Sequence, residues 1–394
     1  MKAIFEKISL LSLSLMMISP FSVSPALPKM MAYYQALGYQ AASVNILFSL
    51  SSVAILGILV INPILNRYLS EKAIVIIGLS LLAFGGSSPF LFQAYPLVFL
   101  SRILLGVGIG LINAKAINII SERFSGKARV KLLGYRASFE VVGSSILTFV
   151  SGYLIAFGWS KAFLIYALAI PILILYLVFV PQVEAPKAKV SHHHKVEKLK
   201  PSQVKLIFGL ALYAGFVILV NTSITLRVPL VVDQMQLGSP KEASLILSLM
   251  MLMGIISGLS FSHFLVHLKS YFMGIVAISL GLGTLVLWSA SSLLLVAIGA
   301  LLTGLVYSLG VTLAFHTVSE AFPPSQLTAA TTFVLIGCNI GGGAAALVLQ
   351  MFSTWSPSVI LPYLIYAIIS LIMGSLLIAA QLFKQKRASN HHQS

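Results

Sequence analysis

Long apolar segments, separated by short polar stretches, dominate the hydropathy pattern of this chain. They do not alternate between apolar and polar positions, as transmembrane β-strands of about 10 residues would. A membrane-spanning helix needs about 20 apolar residues, and lipid offers an open backbone no hydrogen-bond partner. The pattern therefore predicts twelve helical spans, at 7–28, 40–65, 73–92, 96–120, 132–157, 161–181, 204–228, 243–264, 271–289, 292–317, 328–352 and 358–382.

The composition agrees with a membrane protein. Of 394 residues, 58% are hydrophobic and 9% are charged, whereas soluble domains carry about 25% charged residues. This excludes an ordinary soluble enzyme, a nucleic-acid-binding domain and a disordered tail. One cysteine is present, so an intrachain disulfide is not possible.

The basic residues that give the chain its net charge of +16 are distributed unevenly between the predicted inner and outer segments. With both termini in the cytoplasm, 19 of the 25 Lys and Arg fall in inner segments, 3 in outer segments and 3 inside spans. This asymmetry sets orientation, so we expect a multi-pass plasma-membrane protein with cytoplasmic termini and no nucleic-acid partner. The alternative for the N-terminus is a cleaved signal peptide, because Lys2 and Lys7 precede an apolar run and Ser24-Pro25-Ala26.

The longest connection is 182–203, which is rich in lysine and contains two prolines. We interpret it as a cytoplasmic linker between an N-terminal bundle, 1–181, and a C-terminal bundle, 204–394. The two parts repeat at an offset near 198 residues, because the Ser-Glu-x-Phe stretch at 121–124 recurs at 319–322. Such a repeat predicts duplicated units related by an axis along the membrane normal, with a substrate site between them.

This organisation resembles the Major Facilitator Superfamily over the whole chain. In span four, Arg102, Gly106, Gly108 and Gly110 match the family's Arg-x-x-x-Gly-x-Gly pattern, although Leu105 replaces the usual Gln. The resemblance implies an all-α integral membrane protein with twelve transmembrane helices in two pseudo-symmetric six-helix bundles. It also implies a cavity lined by spans one, two, four, five, seven, eight, ten and eleven, with spans three, six, nine and twelve outside.

Two further motifs match the family only in part. In the gating loop after span two, Asn66 and Arg67 stand at the family's Asp-Arg positions, so the acid is missing. Span five keeps Gly143 and Gly152 of the antiporter pattern. The overall likeness is greatest to the twelve-helix drug–proton antiporter branch.

Glu140 is the one acid that lies deep within a predicted span. It is about 12 Å from the inner end of span five, at 1.5 Å per residue. An intramembrane carboxyl can bind and release a proton, which is the chemistry that proton-coupled transport needs. The structural alternative is that Glu140 only neutralises Arg136, four residues earlier on the same helix face.

Arg102 lies about 9 Å from the outer end of span four. The family resemblance places it in the aqueous path, as a proton-transfer or substrate-binding group, which would also suit an anionic substrate. The alternative is snorkelling to the outer headgroups. Lys115, on nearly the opposite face, is expected to snorkel inwards, with pairing to Glu140 as its alternative.

Neutral polar residues inside spans are candidates for the cavity lining. For each, the structural alternative is an interhelical hydrogen bond worth about 0.6 kcal/mol. The candidates are Asn45, Asn113, Asn221, Thr225, Tyr307 and Asn339.

Neither hydrolysis nor ATP drive is predicted, because GxSxG, HExxH, CxxC and Walker patterns do not occur. We expect no enzyme activity, no cofactor and no metal. The three histidines at 192–194 lack a fixed geometry for a metal site. The Gly106/Gly110 and Gly337/Gly341 pairs predict close helix contacts.

The leading hypothesis is a secondary active transporter that works by alternating access, with proton-coupled efflux of drug-like or small amphipathic compounds. The alternative within transport is uptake or exchange of a small polar or anionic solute. From other classes, a membrane-embedded enzyme or a non-transporting sensor or receptor on the same scaffold stays open. The expected partners are a small-molecule substrate, the lipid bilayer and protons, and the protein is expected to be a monomer.

Overall fold

The computed structural model describes residues 2–17, 19–124, 126–181 and 200–391. Within these ranges, all regular secondary structure is helical. The α-helices are α1 Lys2–Ser12, α2 Leu27–Ala36, α3 Ala41–Tyr68, α4 Glu71–Ser87, α5 Tyr95–Arg123, α6 Gly126–Leu154, α7 Ala169–Phe179, α8 Pro201–Gln234, α9 Pro240–Leu268, α10 Phe272–Trp288, α11 Leu293–Ala321, α12 Pro324–Trp355 and α13 Leu361–His391.

Ten segments of the described residues are long and apolar enough to cross a membrane. One of them, Pro240–Trp288, contains two helices, α9 and α10, which the sequence predicts as separate spans. The first predicted span is not among the ten. The helical character of the predicted spans is confirmed, whereas their number stays a prediction.

The first predicted span is broken rather than continuous. Between α1 and α2 the chain forms short 3₁₀ turns at 13–16, 19–21 and 24–26. Pro20 and Pro25 lie in these turns, and proline removes a backbone donor and clashes with the preceding turn of an α-helix. The freed carbonyls need other donors, and the Ser151 hydroxyl donates to the Ser22 carbonyl at 2.6 Å.

Span six also departs from a continuous α-helix. A 3₁₀ stretch, Trp159–Leu168, precedes α7. The predicted linker, 182–203, lies outside the described residues except for 200–203, and Pro201 begins α8 there.

Two glycine faces permit the close helix contacts that the sequence predicts. A side chain at Gly341 would overlap the backbone of α8 at Gly215, and one at Gly106 would overlap the backbone of α3 at Ser51. Small residues let helix backbones approach in this way within membranes. The prediction for the Gly106/Gly110 and Gly337/Gly341 pairs is confirmed.

Two helix pairs make the most extensive contacts between the part of the chain before the linker and the part after it. α3 packs against α12, and α6 packs against α9. In the second pair, the Ser145 hydroxyl donates to the Ser248 carbonyl at 3.0 Å and the Ser248 hydroxyl donates to the Ser145 carbonyl at 2.9 Å. These contacts bring α3, α6, α9 and α12 around a central space.

Candidate substrate cavity

A cavity of about 440 Å³ lies between the two parts of the chain. Its described lining comes from the broken first span and from α3, α5, α6, α8, α9, α11 and α12. Within that lining, no residue comes from α4, α7, α10 or α13. The elements that line the cavity correspond to the eight spans predicted to do so. The four helices without a lining residue correspond to the four spans predicted to lie outside.

Six of the sequence-predicted site residues meet in this cavity. They come from five different helices, so only the tertiary structure brings them together. They are Asn113, Glu140, Asn221, Thr225, Tyr307 and Asn339.

Asn113 and Asn221 both line the cavity. Their buried Oδ1 atoms have no hydrogen-bond partner among the described residues. By contrast, the Thr225 hydroxyl donates to the Asn221 carbonyl at 3.0 Å, and Asn339 Nδ2 donates to the Leu335 carbonyl at 2.9 Å. Buried polar atoms normally find a partner, so these two oxygens are unsatisfied acceptors within the described lining.

Glu140 forms an ion pair inside the cavity. Its Oε2 lies 3.1 Å from Arg136 Nη2, with 14% of the arginine side chain and 21% of the glutamate side chain exposed. Arg136 Nη1 also contacts the Met17 sulfur at 3.2 Å. The pairing that the sequence offers as a structural alternative is therefore present, and both charges also face the solute space.

The sequence assigns no cavity role to several residues of the lining. Among them are Arg136, which the sequence predicts only as a partner of Glu140, and Ser144, Met251 and Cys338. The available signal was helical spacing, because Arg136, Glu140 and Ser144 are four residues apart and share one face of α6.

Arg102 does not line this cavity, contrary to the position that the resemblance implies. It is 1% exposed, inside the N-terminal part of the chain. Its Nη2 donates to the Pro20 carbonyl at 2.6 Å and its Nε donates to the Leu47 carbonyl at 3.2 Å. The guanidinium therefore fixes the broken first span against α3, and it does not snorkel to the membrane surface.

Aromatic rings enclose the Arg102 guanidinium. Its central carbon lies 5.5 Å from the Phe48 ring centroid and 5.7 Å from that of Phe163. The Tyr166 hydroxyl is 3.5 Å from Nη1. Cation–π contacts of this kind lower the cost of burying a cation, and no carboxylate among the described residues forms an ion pair with Arg102.

Asn45 and the gating-loop residues also lie apart from the lining. Asn45 is on α3, about 10 Å along the helix from the lining residue Ser52. Asn66 and Arg67 are in the last turn of α3, and their side chains lie outside the part of the chain that the structure describes.

An ion cluster joins the middle of α1, the start of α4 and the end of α5. Arg123 pairs with Glu71 at 2.8 Å and with Glu6 at 3.3 Å. The Tyr176 hydroxyl donates to the same Glu71 carboxylate at 3.3 Å. Arg123 thus binds carboxylates from two other helices, α1 and α4.

The lining combines polar groups with apolar surface. Met17, Phe21, Ile55, Leu59 and Met250 supply much of the apolar part. Ligand pockets of about 300–1,000 Å³ typically show this combination of apolar walls and a few polar groups. The cavity suits a small solute with a limited number of hydrogen-bonding or charged groups.

The sequence profile of the Major Facilitator Superfamily matches residues 9–282. The chain belongs to the Major Facilitator Superfamily. The cyanate transport protein CynX of Escherichia coli (strain K12) is 34% identical over 103 residues, which are 26% of this chain and 26% of that protein. The match thus spans about a quarter of that relative's length.

Solved transporters share the fold over nearly the whole chain. A D-xylose-proton symporter superposes with a TM-score of 0.74 at 14% identity, covering 96% of this chain and 97% of that one. The nucleoside transporter NupG gives 0.70 at 14% identity, with coverages of 94% and 99%. The peptide transporter POT in complex with sulfate gives 0.74 at 14% identity, with coverages of 95% and 94%. At this identity the likeness shows the fold alone, and the drug–proton antiporter branch is not identified.

Proposed function

We propose that this protein is a secondary transporter of the plasma membrane that moves a small polar or anionic solute by alternating access. Two six-helix bundles, 1–181 and 204–394, rock about the central cavity. The linker 182–203 and both termini lie in the cytoplasm, and the protein works as a monomer. The ten apolar segments become twelve membrane spans in two steps. Pro240–Trp288 counts as two spans, and residues 2–36 count as one broken span.

The observation that carries the proposal is the composition of the cavity wall. Residues from both parts of the chain line it, so a relative movement of the two parts would expose a bound solute first to one side and then to the other. The reciprocal hydrogen bonds between Ser145 and Ser248, each from a hydroxyl to the other residue's carbonyl, link α6 to α9, and such a movement would have to break them.

The charge in the cavity favours a polar or anionic solute over a cationic drug. Glu140 is the one acid in the described lining, and Arg136 already neutralises it. A cationic compound would have to compete with the Arg136 guanidinium for the Glu140 carboxylate. CynX, which matches this chain over 103 residues, is named a cyanate transport protein, and this name supports the same substrate class. We place proton binding at Glu140 and give Arg102 a positioning role.

Flux into proteoliposomes tests the proposal. The purified protein is reconstituted, and uptake of cyanate, acetate, xylose, uridine and the lipophilic cation ethidium is measured with and without a proton gradient. We expect uptake of at least one polar or anionic solute and none of ethidium. Ethidium transport alone would restore the drug-efflux hypothesis, and flux of none of the five would contradict transport of this solute class.

A pair of tryptophan variants on α9 tests whether the cavity is the pathway. Gly254 lines the cavity, so Gly254→Trp should fill it and abolish flux. Leu259 is 83% exposed and lies outside the lining, about 140° around the helix at 3.6 residues per turn. Leu259→Trp should keep wild-type flux. Equal flux of both variants would show that the solute takes another route.

A further inference from the structure

Arg136 is a cation within the solute space. Protonation of its acidic partner, Glu140, would break their ion pair. It lies one helical turn from Glu140 on α6, and both side chains face the cavity. A guanidinium is always charged and binds carboxylates and similar planar anions with a fixed fork of donors. A glutamate can become neutral, and a neutral carboxyl no longer forms an ion pair.

No second acid faces this pair within the described lining. The other titratable side chains there are the Tyr307 phenol from α11 and the Cys338 thiol from α12. The broken first span contributes the Met17 sulfur, and α8 contributes the Asn221 amide. Protonation of Glu140 would therefore leave Arg136 with a thioether and neutral groups around it.

We infer that Arg136 and Glu140 together form a binding site for a small monovalent anion, and that protonation of Glu140 opens this site. The inference rests on the proposed transport function and names its substrate class. When Glu140 is ionised it occupies Arg136 and excludes the anion. When Glu140 binds a proton, Arg136 receives the anion in its place, and Asn113 and Asn221, which line the same cavity, have Nδ2 groups that can donate hydrogen bonds to it.

The charge balance of this exchange fits alternating access. The empty cavity holds one guanidinium and one carboxylate and is neutral. The loaded cavity holds one guanidinium, one neutral carboxyl and one anion, and it is neutral as well. An intermediate with only the proton or only the anion carries a net charge, which is costly to move through a low-dielectric interior. The two neutral states would therefore be the ones that reorient, giving one proton for each anion.

Binding is measurable without transport, through the single cysteine. Cys338 lines the cavity, and it is the only thiol in the chain, so its alkylation by N-ethylmaleimide reports on this site alone. The purified full chain in detergent is alkylated with and without cyanate, formate or acetate, with xylose as a neutral probe. The ratio of the two rates at each pH removes the reagent's own pH dependence.

For the wild-type protein we expect at least one of the anions to slow alkylation more strongly in acid. Because one proton binds with each anion, the half-protecting concentration should fall as the pH falls, by up to about tenfold per pH unit while Glu140 is ionised in the free protein. Glu140→Gln should give protection that no longer depends on pH and matches the acidic wild type. Arg136→Gln should give none, and Lys115→Gln, which changes a basic residue of α5 outside the lining, should match the wild type.

Each other outcome overturns the inference. Protection that is independent of pH in the wild type, or retained by Arg136→Gln, would remove Arg136 as the anion's partner. Loss of protection in Glu140→Gln, with its melting temperature unchanged, would mean that the carboxylate does not compete with the anion. Absence of protection by all three anions would also refute the site. In that case flux of xylose or uridine would leave the proposed transport function standing, whereas absence of any flux would remove both.

Discussion

Replacing Arg102 by methionine separates the two roles that this residue can have. Methionine keeps much of the side chain's length and removes the guanidinium. If the residue fixes the broken first span, as its contacts with Pro20 and Leu47 indicate, the variant should lose stability. If it serves in the solute path, as the family resemblance implies, the variant should lose transport instead.

The expected loss of stability follows from the contacts. A hydrogen bond to a charged group contributes about 1.5–3 kcal/mol, and a buried carbonyl left without a donor costs about 1–3 kcal/mol. The Pro20 carbonyl matters most, because it lies in a 3₁₀ turn where the α-helical donor is absent, whereas Leu47 lies within α3. Relief from burying a charge offsets part of the loss. We expect the free energy of unfolding to fall by about 2–4 kcal/mol.

The loss of helical circular dichroism on heating provides the assay, because all regular secondary structure of the described residues is helical. Melting curves of Arg102→Met, Arg102→Lys and the wild type are compared. Lysine should recover only part of the loss, because one ammonium does not replace a planar fork that reaches two carbonyls. Arg129→Met, at an exposed position, is the matched control and should melt like the wild type.

Flux measured well below the melting temperature completes the test. Since Arg102 does not line the cavity, the folded Arg102→Met protein should transport at close to the wild-type rate. A variant that melts like the wild type but fails to transport would refute the positioning role. It would return Arg102 to the solute or proton path.

Three further predictions concern packing, topology and the ion cluster. Gly341→Leu should destabilise the protein by about 1–3 kcal/mol, because the new side chain would meet the backbone of α8. Gly209→Leu is the control, since Gly209 has open space around it. Equal melting temperatures of the two variants would contradict the close contact. His193→Cys in a Cys338→Ser background should resist an impermeant thiol reagent applied outside intact cells, and labelling there would overturn the predicted orientation. Arg123→Gln leaves two partly buried carboxylates without their cation, so the melting temperature should fall by an amount equivalent to about 1–3 kcal/mol; an unchanged value would show that the cluster contributes no stability.

Properties that depend on local sequence were predictable. Span positions follow from the length of apolar segments, since each helix satisfies its own backbone in lipid. The helix boundaries agree with the predicted spans to within a few residues for α3, α4 and α5. The glycine faces were predictable for a similar reason, because four-residue spacing places two small residues on one side of a helix whatever packs there.

The partner of each polar face was decided only by the tertiary structure. Helical periodicity places Arg102 and Arg136 on particular sides of their helices, but it does not say what lies opposite. Arg102 faces the carbonyl of Pro20, 82 positions away, and Arg136 faces the cavity. Similarly, Glu71 meets Arg123 across 52 positions. Contacts between residues so far apart in sequence depend on how several helices pack at once, and hydropathy along one chain does not contain that information.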